Sequence, residues 1–367
     1  MVDSDVVVTA DVHLRPDGVY RHRGMVGDLE YGFEQVVAAC EADPPAMLVV
    51  LGDIFEARDI SPRSPVQHRW FQSLIDRVAA CSRFGYVLGN HDLGVDWTSL
   101  HPDAELLHEV EFEVGGRRVY GLNYADPDQF RRQAAVVPDR VDTLMAHQAW
   151  AELMGQLSAM VVEADWVPDG VRSIITGDYH RSLVVGRGGR TFYSPGPVCL
   201  QRLDEPAVKS FLRLTAGPDG WAHRVVPLRS RGVARFVASD DDALDLLLAG
   251  LPAIVSTFHA DERLPADLRR PVVAVDLGRG MARRRADLVR AIGRDAHLFV
   301  NAARGRDATP LVERVVGGEF GLRAAVMDCL PAGELRDLAL RLAAADDVAA
   351  EVDAVVAQVL AQVDHAD

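Results

Sequence analysis

An α/β fold of about two domains is what this sequence predicts, and three features carry that prediction. Short apolar runs recur through the first two-thirds of the chain, each ending in a small cluster of polar residues. Stretches with helical spacing of apolar residues lie between some of them. From about Ala234 the α-β alternation continues, but no further run ends in such a cluster. The 367 residues, 49% hydrophobic and 25% charged, have the balance of a globular protein with room for more than one core.

Val6 to Ala10 reads as a buried strand, with Asp11 and His13 at its carboxyl end on one side of an extended chain. A loop rich in Arg and Gly follows from Leu14 to Gly24. Leu29 to Cys40 has helical periodicity, and Pro44-Pro45 stops it. Met47 to Leu51 is a second buried strand ending in Gly52-Asp53-Ile54-Phe55-Glu56. Ser61 to Pro65 reads as a surface loop and Trp70 to Ala80 as an amphipathic helix. Tyr86-Val87-Leu88 is a third strand, delivering Gly89-Asn90-His91-Asp92. Phe112 to Gly121 should form a hairpin turning at Gly115-Gly116. Thr143 to Ala146 is capped by His147, and Arg172 to Thr176 ends in Gly177-Asp178-Tyr179-His180. Thr191 to Pro197 and Ser210 to Leu214 look like closing strands. Beyond Ala234, the pattern predicts a helix over 241–251, a strand over 271–277, a helix over 283–292 and a strand over 297–301. Glu334 to Val363 reads as a final helical stretch with Leu335, Leu338, Leu342, Val348, Val352 and Val356 near one face.

Composition excludes several roles. Cys40, Cys81, Cys199 and Cys329 are scattered among apolar neighbours, as reduced core thiols are, with no CxxC pair to hold zinc. No apolar run is expected to reach the ~18 residues of a membrane span, and the first residues run straight into a strand, so a cytoplasmic protein without membrane contact is expected. The net charge of −15 is opposite to that of a freestanding nucleic-acid binder. Clustered cation ligands are themselves acidic, however, which qualifies that objection. Lys209 is the only lysine; nearly all positive charge is Arg.

Five apolar runs end in residues able to bind a hard or borderline cation: Asp11 with His13, Asp53, Asn90 with His91, His147, and Asp178 with His180. Side chains at the carboxyl ends of neighbouring strands, about 5 Å apart, converge on one crevice. Mixed carboxylate, imidazole and amide donors suit manganese, iron or zinc better than calcium. There are too many for one ion. They match two ions about 3.5–4 Å apart, the arrangement used in phosphoester hydrolysis.

Asp-x-His, Gly-Asp, Gly-Asn-His-Asp, a lone His and a Gly-x-x-His ending, in this order over roughly residues 5–200, resemble the calcineurin-like metallophosphoesterase superfamily. Within it, Gly52-Asp53-Ile54-Phe55 resembles the SbcD-type DNA repair exonucleases. Protein Ser/Thr phosphatases carry Gly-Asp-x-x-Asp-Arg-Gly instead, which Glu56-Ala57-Arg58 does not supply. Tyr193-Ser194-Pro195-Gly196-Pro197 is similar to the Tyr-Ser-Gly-Ser-Pro segment of those exonucleases. The resemblance implies a four-layer α-β-β-α sandwich, two packed mixed sheets flanked by helices, over residues 1–233. A small α/β capping domain over 234–310 and a helical, partner-binding region over 311–367 would follow.

By motif position, the resemblance implies that Asp11, His13, Asp53 and His180 hold one ion, with Asp53 bridging to a second held by Asn90 and His147. His91 would protonate the leaving 3′ oxygen rather than bind metal, and Asp92 would orient His91 or its loop. The family usually has Gly-His-x-His where Asp178 stands here. A carboxylate still ligates, and it favours Mn2+ or Mg2+ over softer ions. Arg15, Arg58, Arg63 and Tyr179 are candidates to touch substrate. The expected activity is a manganese-dependent DNA exo/endonuclease, the nuclease subunit of an SbcCD-like double-strand-break repair complex. An SbcC-like coiled-coil ATPase would be its partner and supply much of the grip on DNA; pairing of two copies is left open. A small-molecule or cyclic-nucleotide phosphodiesterase is one alternative, and an assembly subunit whose metal site is weakened by Asp178 is another.

Overall fold

The computed structural model describes residues 5–15, 25, 27–56, 65–92, 101–154, 160–218 and 220–302. Arg58, Arg63, most of the Leu14–Gly24 loop and the whole of the expected tail over 311–367 lie outside them.

The first part of the chain runs β1 (Asp5–Thr9), α1 (Asp28–Ala42), β2 (Met47–Leu51), α2 (Pro65–Ala79), β3 (Arg83–Val87) and β4 (Ala104–Leu106). There follow β5 (Glu111–Val114), β6 (Arg117–Leu122), α3 (Pro127–Ala134), β7 (Thr143–His147), α4 (Ala151–Met154), β8 (Ser173–Gly177), β9 (Leu183–Arg187), β10 (Arg190–Ser194), β11 (Lys209–Gly217) and β12 (Gly220–Leu228). They build two six-stranded sheets, in the orders β12-β11-β1-β2-β3-β4 and β5-β6-β7-β8-β10-β9. Both are mixed. In the first, β1 to β4 run parallel and β11 and β12 are antiparallel; in the second, β6, β7, β8 and β10 are parallel between antiparallel edges β5 and β9.

The run-like strands follow from burial on both faces. Val6 and Val8, with Met47, Val49 and Leu51, pack in one core together with Met145 and Ile175 of the other sheet. Val7, Leu48 and Val50 point the opposite way, against Leu29, Phe33, Val36 and Val37 of α1 and Phe71, Ile75 and Val78 of α2. On the far side, Leu144, Ala146 and Ile174 meet Phe130 and Trp150. The strand period of two thus sorts each apolar run between two cores, which gives the α-β-β-α sandwich. Each Val or Leu so buried contributes about 1.5–3 kcal/mol.

Several boundaries differ from the sequence reading. The hairpin at Gly115-Gly116 forms, with φ of 57° and 80° at the two glycines. A second hairpin, β9–β10, turns at Gly188-Gly189 with φ of 56° and 76°. It carried the same signal and was not expected, because β9 lacks a run of buried residues. The helix expected from Trp70 begins at Pro65, whose ring suits a first turn.

Beyond β12 come β13 (Val233–Ala238), α5 (Asp241–His259), β14 (Val272–Leu277), α6 (Arg285–Ile292) and β15 (His297–Ala302), with the three strands forming one sheet in the order β13-β14-β15. The helix α5 runs through Pro252 and ends eight residues past Leu251, where the sequence suggested a stop. It has the length and apolar composition of a membrane span, though no uninterrupted run of that length, and 17% of its apolar window is buried. Contacts divide the chain into two compact units. One is Met1–Arg235, Leu246–Ala274 and Ala286–Phe299; the other is Phe236–Asp245, Val275–Arg285 and Val300–Asp367. Both six-stranded sheets belong to the first.

Candidate metal centre

Three adjacent parallel strands of the first sheet and two of the second deliver the site. Asp11 follows β1, Asp53 follows β2, and Asn90, His91 and Asp92 follow β3. His147 is the last residue of β7, and Asp178 and His180 come directly after β8. Beyond the strand ends the backbones stay paired: Asp11 N–H donates to Gly52 O at 3.2 Å, and His13 N–H to Asp53 O at 2.7 Å.

The local conformation is unusual. Asp11, His13, Asp53, Asp178 and His180 all have positive φ, between 51° and 72°. Among the described non-glycine residues only Glu109 shares this. Left-handed backbone costs a side-chain-bearing residue about 1–3 kcal/mol and is held where function over-determines it. It also changes the reason Asp11 meets His13. They are not period-two neighbours on an extended chain; two left-handed residues curl the backbone so that both side chains face inward. Asp178 and His180 repeat the device.

The small residues in these motifs make room. A Cβ at Gly89 would sit 2.1 Å from Asp53 Oδ1, and one at Gly177 would sit 2.2 Å from Leu51 O and 2.6 Å from His147 Nδ1. Close approach, rather than a turn, is what requires glycine at 89.

The ligand atoms of Asp11, His13 and His180 lie within 4.8 Å of one another, as do those of Asp11, Asp53 and His147. Asp53 Oδ2 is 3.4 Å from both His13 Nε2 and His147 Nε2, between the two groups. His147 Nδ1 lies 2.7 Å from Leu51 O, which fixes that nitrogen as a donor. Its Nε2 then faces Asn90 Oδ1 at 3.1 Å, Asp53 Oδ2 and Asp178 Oδ1 at 3.9 Å. Three acceptor oxygens around one ring nitrogen call for a positive charge among them, a proton or a bound cation. The same shortage shows at Asp11 Oδ2 and at both ring nitrogens of His13, buried with no hydrogen-bond partner. These residues fit a pair of divalent ions.

Electrostatics agree. Burial opposes charge on His180, yet Asp11 and Glu205 bring its pKa up to about 9. Burial likewise opposes charge on His147, and Asp53, Asp178 and Asp11 overrule it. Burial would raise Asp53, but the imidazoles of His147, His13 and His91 hold it well below the usual carboxylate range. The cage draws in positive charge, which bound cations would supply in place of protons.

His91 stands at the rim, with its side chain 28% exposed. Its backbone N–H donates to Asp53 Oδ1 at 2.9 Å, and its Nδ1 lies 2.6 Å from Glu56 Oε1. That bond to Glu56 raises the His91 pKa against the opposing effect of burial. Asp92 ties the loops together, accepting from the backbone N–H groups of Gly89 (2.9 Å), Phe55 (3.1 Å) and Ile54 (3.3 Å). Burial and the nearby Asp53 charge push Asp92 up to about 7.

Arg15 is turned along the rim: it donates to Gln201 Oε1 at 3.0 Å and sits 3.5 Å from Glu56 Oε2. Tyr179 is half-buried between Asp178 and His180. Two residues that the motifs did not single out also meet the site. Glu56 touches both His91 and, at 3.4 Å, His13 Nδ1. Glu205 backs His180, with Oε1 2.7 Å from its Nδ1. Glu56 could have been found by its spacing, three residues after Asp53. Glu205 sits in a turn with no neighbouring motif.

Fold and site define a hydrolase centre built for two divalent cations, of the kind that acts on phosphoesters. Residues 4–182 match the model of the calcineurin-like phosphoesterase family. No curated protein matches the chain. Among solved structures, the chain is similar to the protein TT1561 of Thermus thermophilus, at 12% identity and a TM-score of 0.40, covering 62% of this chain and 100% of that one. A novel archaeal phosphodiesterase matches at 9% identity and a TM-score of 0.34, with 60% and 99% covered. A dimetal phosphatase from Danio rerio matches at 12% identity and a TM-score of 0.42, with 62% and 100% covered.

Proposed function

We propose that this protein is a cytoplasmic DNA exo/endonuclease of the SbcD type, working with a coiled-coil ATPase partner. The observation that carries the reading is the placement of His91. It stands partly exposed at the rim with Nδ1 2.6 Å from Glu56 Oε1, grouped with His13 and Glu56, and would turn its other nitrogen to a substrate. Two divalent ions, manganese first among them, would neutralise phosphate charge at the site. The chain's own residues do the rest. Glu56 holds His91 in orientation and raises its pKa, and His91 gives its proton to the oxygen leaving the phosphorus. Asp92 locks the loops that carry Asp53 and His91 against each other.

Polymeric DNA as the substrate is supported by two segments. Gly52-Asp53-Ile54-Phe55 lies in the cage wall. The Tyr193-to-Pro197 segment leaves β10, which lies beside the strand that delivers Asp178, and its Pro197 is bridged to Ala10, next to Asp11. The test is end-labelled linear duplex DNA with Mn2+, run beside a small chromogenic phosphodiester. Cleavage of DNA that stops with EDTA and falls about 10²–10⁴-fold in His91→Ala is expected. Turnover of the small diester with DNA left intact would replace this reading with the small-molecule one. Tight Mn2+ binding without any hydrolysis would leave an assembly subunit.

A further inference from the structure

The only lysine of the chain is buried directly behind the cage. Lys209 opens β11, and its side chain is 2% exposed; that of its partner Glu205 is 4% exposed. Lys209 Nζ donates to Glu205 Oε2 at 2.7 Å, and the backbone N–H of Gln201 donates to the same oxygen at 2.9 Å. Glu205 Oε1 is left for His180 Nδ1 at 2.7 Å. The turn carrying Glu205 is pinned as well, since Arg235 donates to the carbonyls of Leu203 and Glu205.

A buried charge is costly unless paired and hydrogen-bonded, so Lys209 and Glu205 must serve something that a pair of apolar residues would not. The geometry says what. With Oε2 held from two sides, Oε1 has a fixed direction. An N–H of His180 is thereby assigned to Nδ1, and Nε2 faces Asp11 Oδ1, 3.8 Å away, where a cation would displace its proton. Lysine suits this place because its compact ammonium fits behind a single oxygen, where the broad guanidinium fork of Arg would need a second acceptor.

We propose that Lys209 and Glu205 form a positioning clamp that sets the orientation of His180, and through it the affinity for one of the two cations. This rests on the two-cation reading above. The clamp touches neither substrate nor reacting atoms, so its signature is in metal binding.

The experiment is calorimetric titration of the full chain with Mn2+, comparing wild type, Lys209→Met and the double variant Lys209→Met/Glu205→Gln. Melting in EDTA serves as the control for folding. In Lys209→Met, affinity at one site should fall about 10–100-fold while the other site stays close to wild type; the melting temperature in EDTA drops with Glu205 left unpaired and recovers in the double variant. Should the single variant fail to fold, the double variant decides, because it leaves no unpaired charge and keeps an acceptor for His180 without the clamp. A weaker single site is expected there too. Unchanged affinity at both sites in a folded variant overturns the proposal. So does an equal loss at both sites, which marks a purely structural pair. A wild-type chain that takes up no Mn2+ would sink the two-cation reading itself, and it shows before any variant is made.

Discussion

Two histidine–carboxylate pairs meet at His13, and they differ in one respect. His91 with Glu56 is at the rim, the imidazole 28% exposed and its carboxylate shared with His13 and Arg15. His180 with Glu205 is set deeper, its carboxylate immobilised by Lys209 and Gln201. The pair geometry is nearly the same, 2.6 Å against 2.7 Å. Surroundings decide the work. A pair whose imidazole reaches solvent, with its carboxylate shared among several partners, can pass a proton. A pair whose carboxylate is clamped can only hold an imidazole still.

That contrast breaks first where both pairs depend on one residue. Asp53 lies between the two cation groups and also accepts the backbone N–H of His91. Asp53→Asn should therefore abolish Mn2+ uptake and DNA cleavage together, as read by metal analysis and gel assay. The next largest effect separates the pairs. His91→Ala should lose about 10²–10⁴-fold in kcat with Mn2+ stoichiometry intact in calorimetry. If the metal is lost as well, His91 belongs to the cage and the division of labour fails.

Glu56→Gln is a gentler probe of the rim pair. Glu56 raises the His91 pKa, and the proposed role needs His91 protonated. Without the carboxylate charge that pKa falls, so the alkaline limb of the pH–rate profile should move to lower pH. A loss of about 10–100-fold in kcat at about pH 8 is expected, shrinking as the pH is lowered. An unmoved limb would assign it to another group.

Much of this candidate site was legible in the sequence because residues able to bind cations gather at strand ends and leave short motifs. Asp11, His13, Asp53, Asn90, His147, Asp178 and His180 could be named that way, and the sheets that gather them followed from apolar runs. What surrounds them was not legible. Glu205 and Lys209 lie in a turn and at a strand start, joined to His180 only by the fold, and no spacing rule links positions so far apart. The left-handed backbone at Asp11 and His13 was equally hidden, since Asp and His adopt it only where packing requires it. The second hairpin at Gly188-Gly189 was a different kind of miss. Its turn signal was present, but the half-exposed strand before it lacked the apolar run that drew attention elsewhere.

The smallest expected effect is thermodynamic and concerns the clamped pair alone. In the metal-free protein His180 has its pKa raised from 6.5 to about 9, burial opposing and the Asp11 and Glu205 charges prevailing. A raised folded-state pKa means that the folded chain holds a proton the unfolded chain has released. Its stabilisation is fully present below pH 6.5 and is lost as the pH climbs through about 9. With EDTA present, the melting temperature should therefore fall across that window, by a contribution of roughly 3 kcal/mol at most. Saturating Mn2+ should flatten or reverse the trend, because the metal takes the place of the proton and binds better as the pH rises. Glu205→Gln removes one of the three charges that raise the pKa, those of Asp11, Glu205 and Asp178, so its window should close at lower pH. A metal-free melting temperature that rises between pH 6.5 and about 9 would mean that the acidic cage does not govern His180.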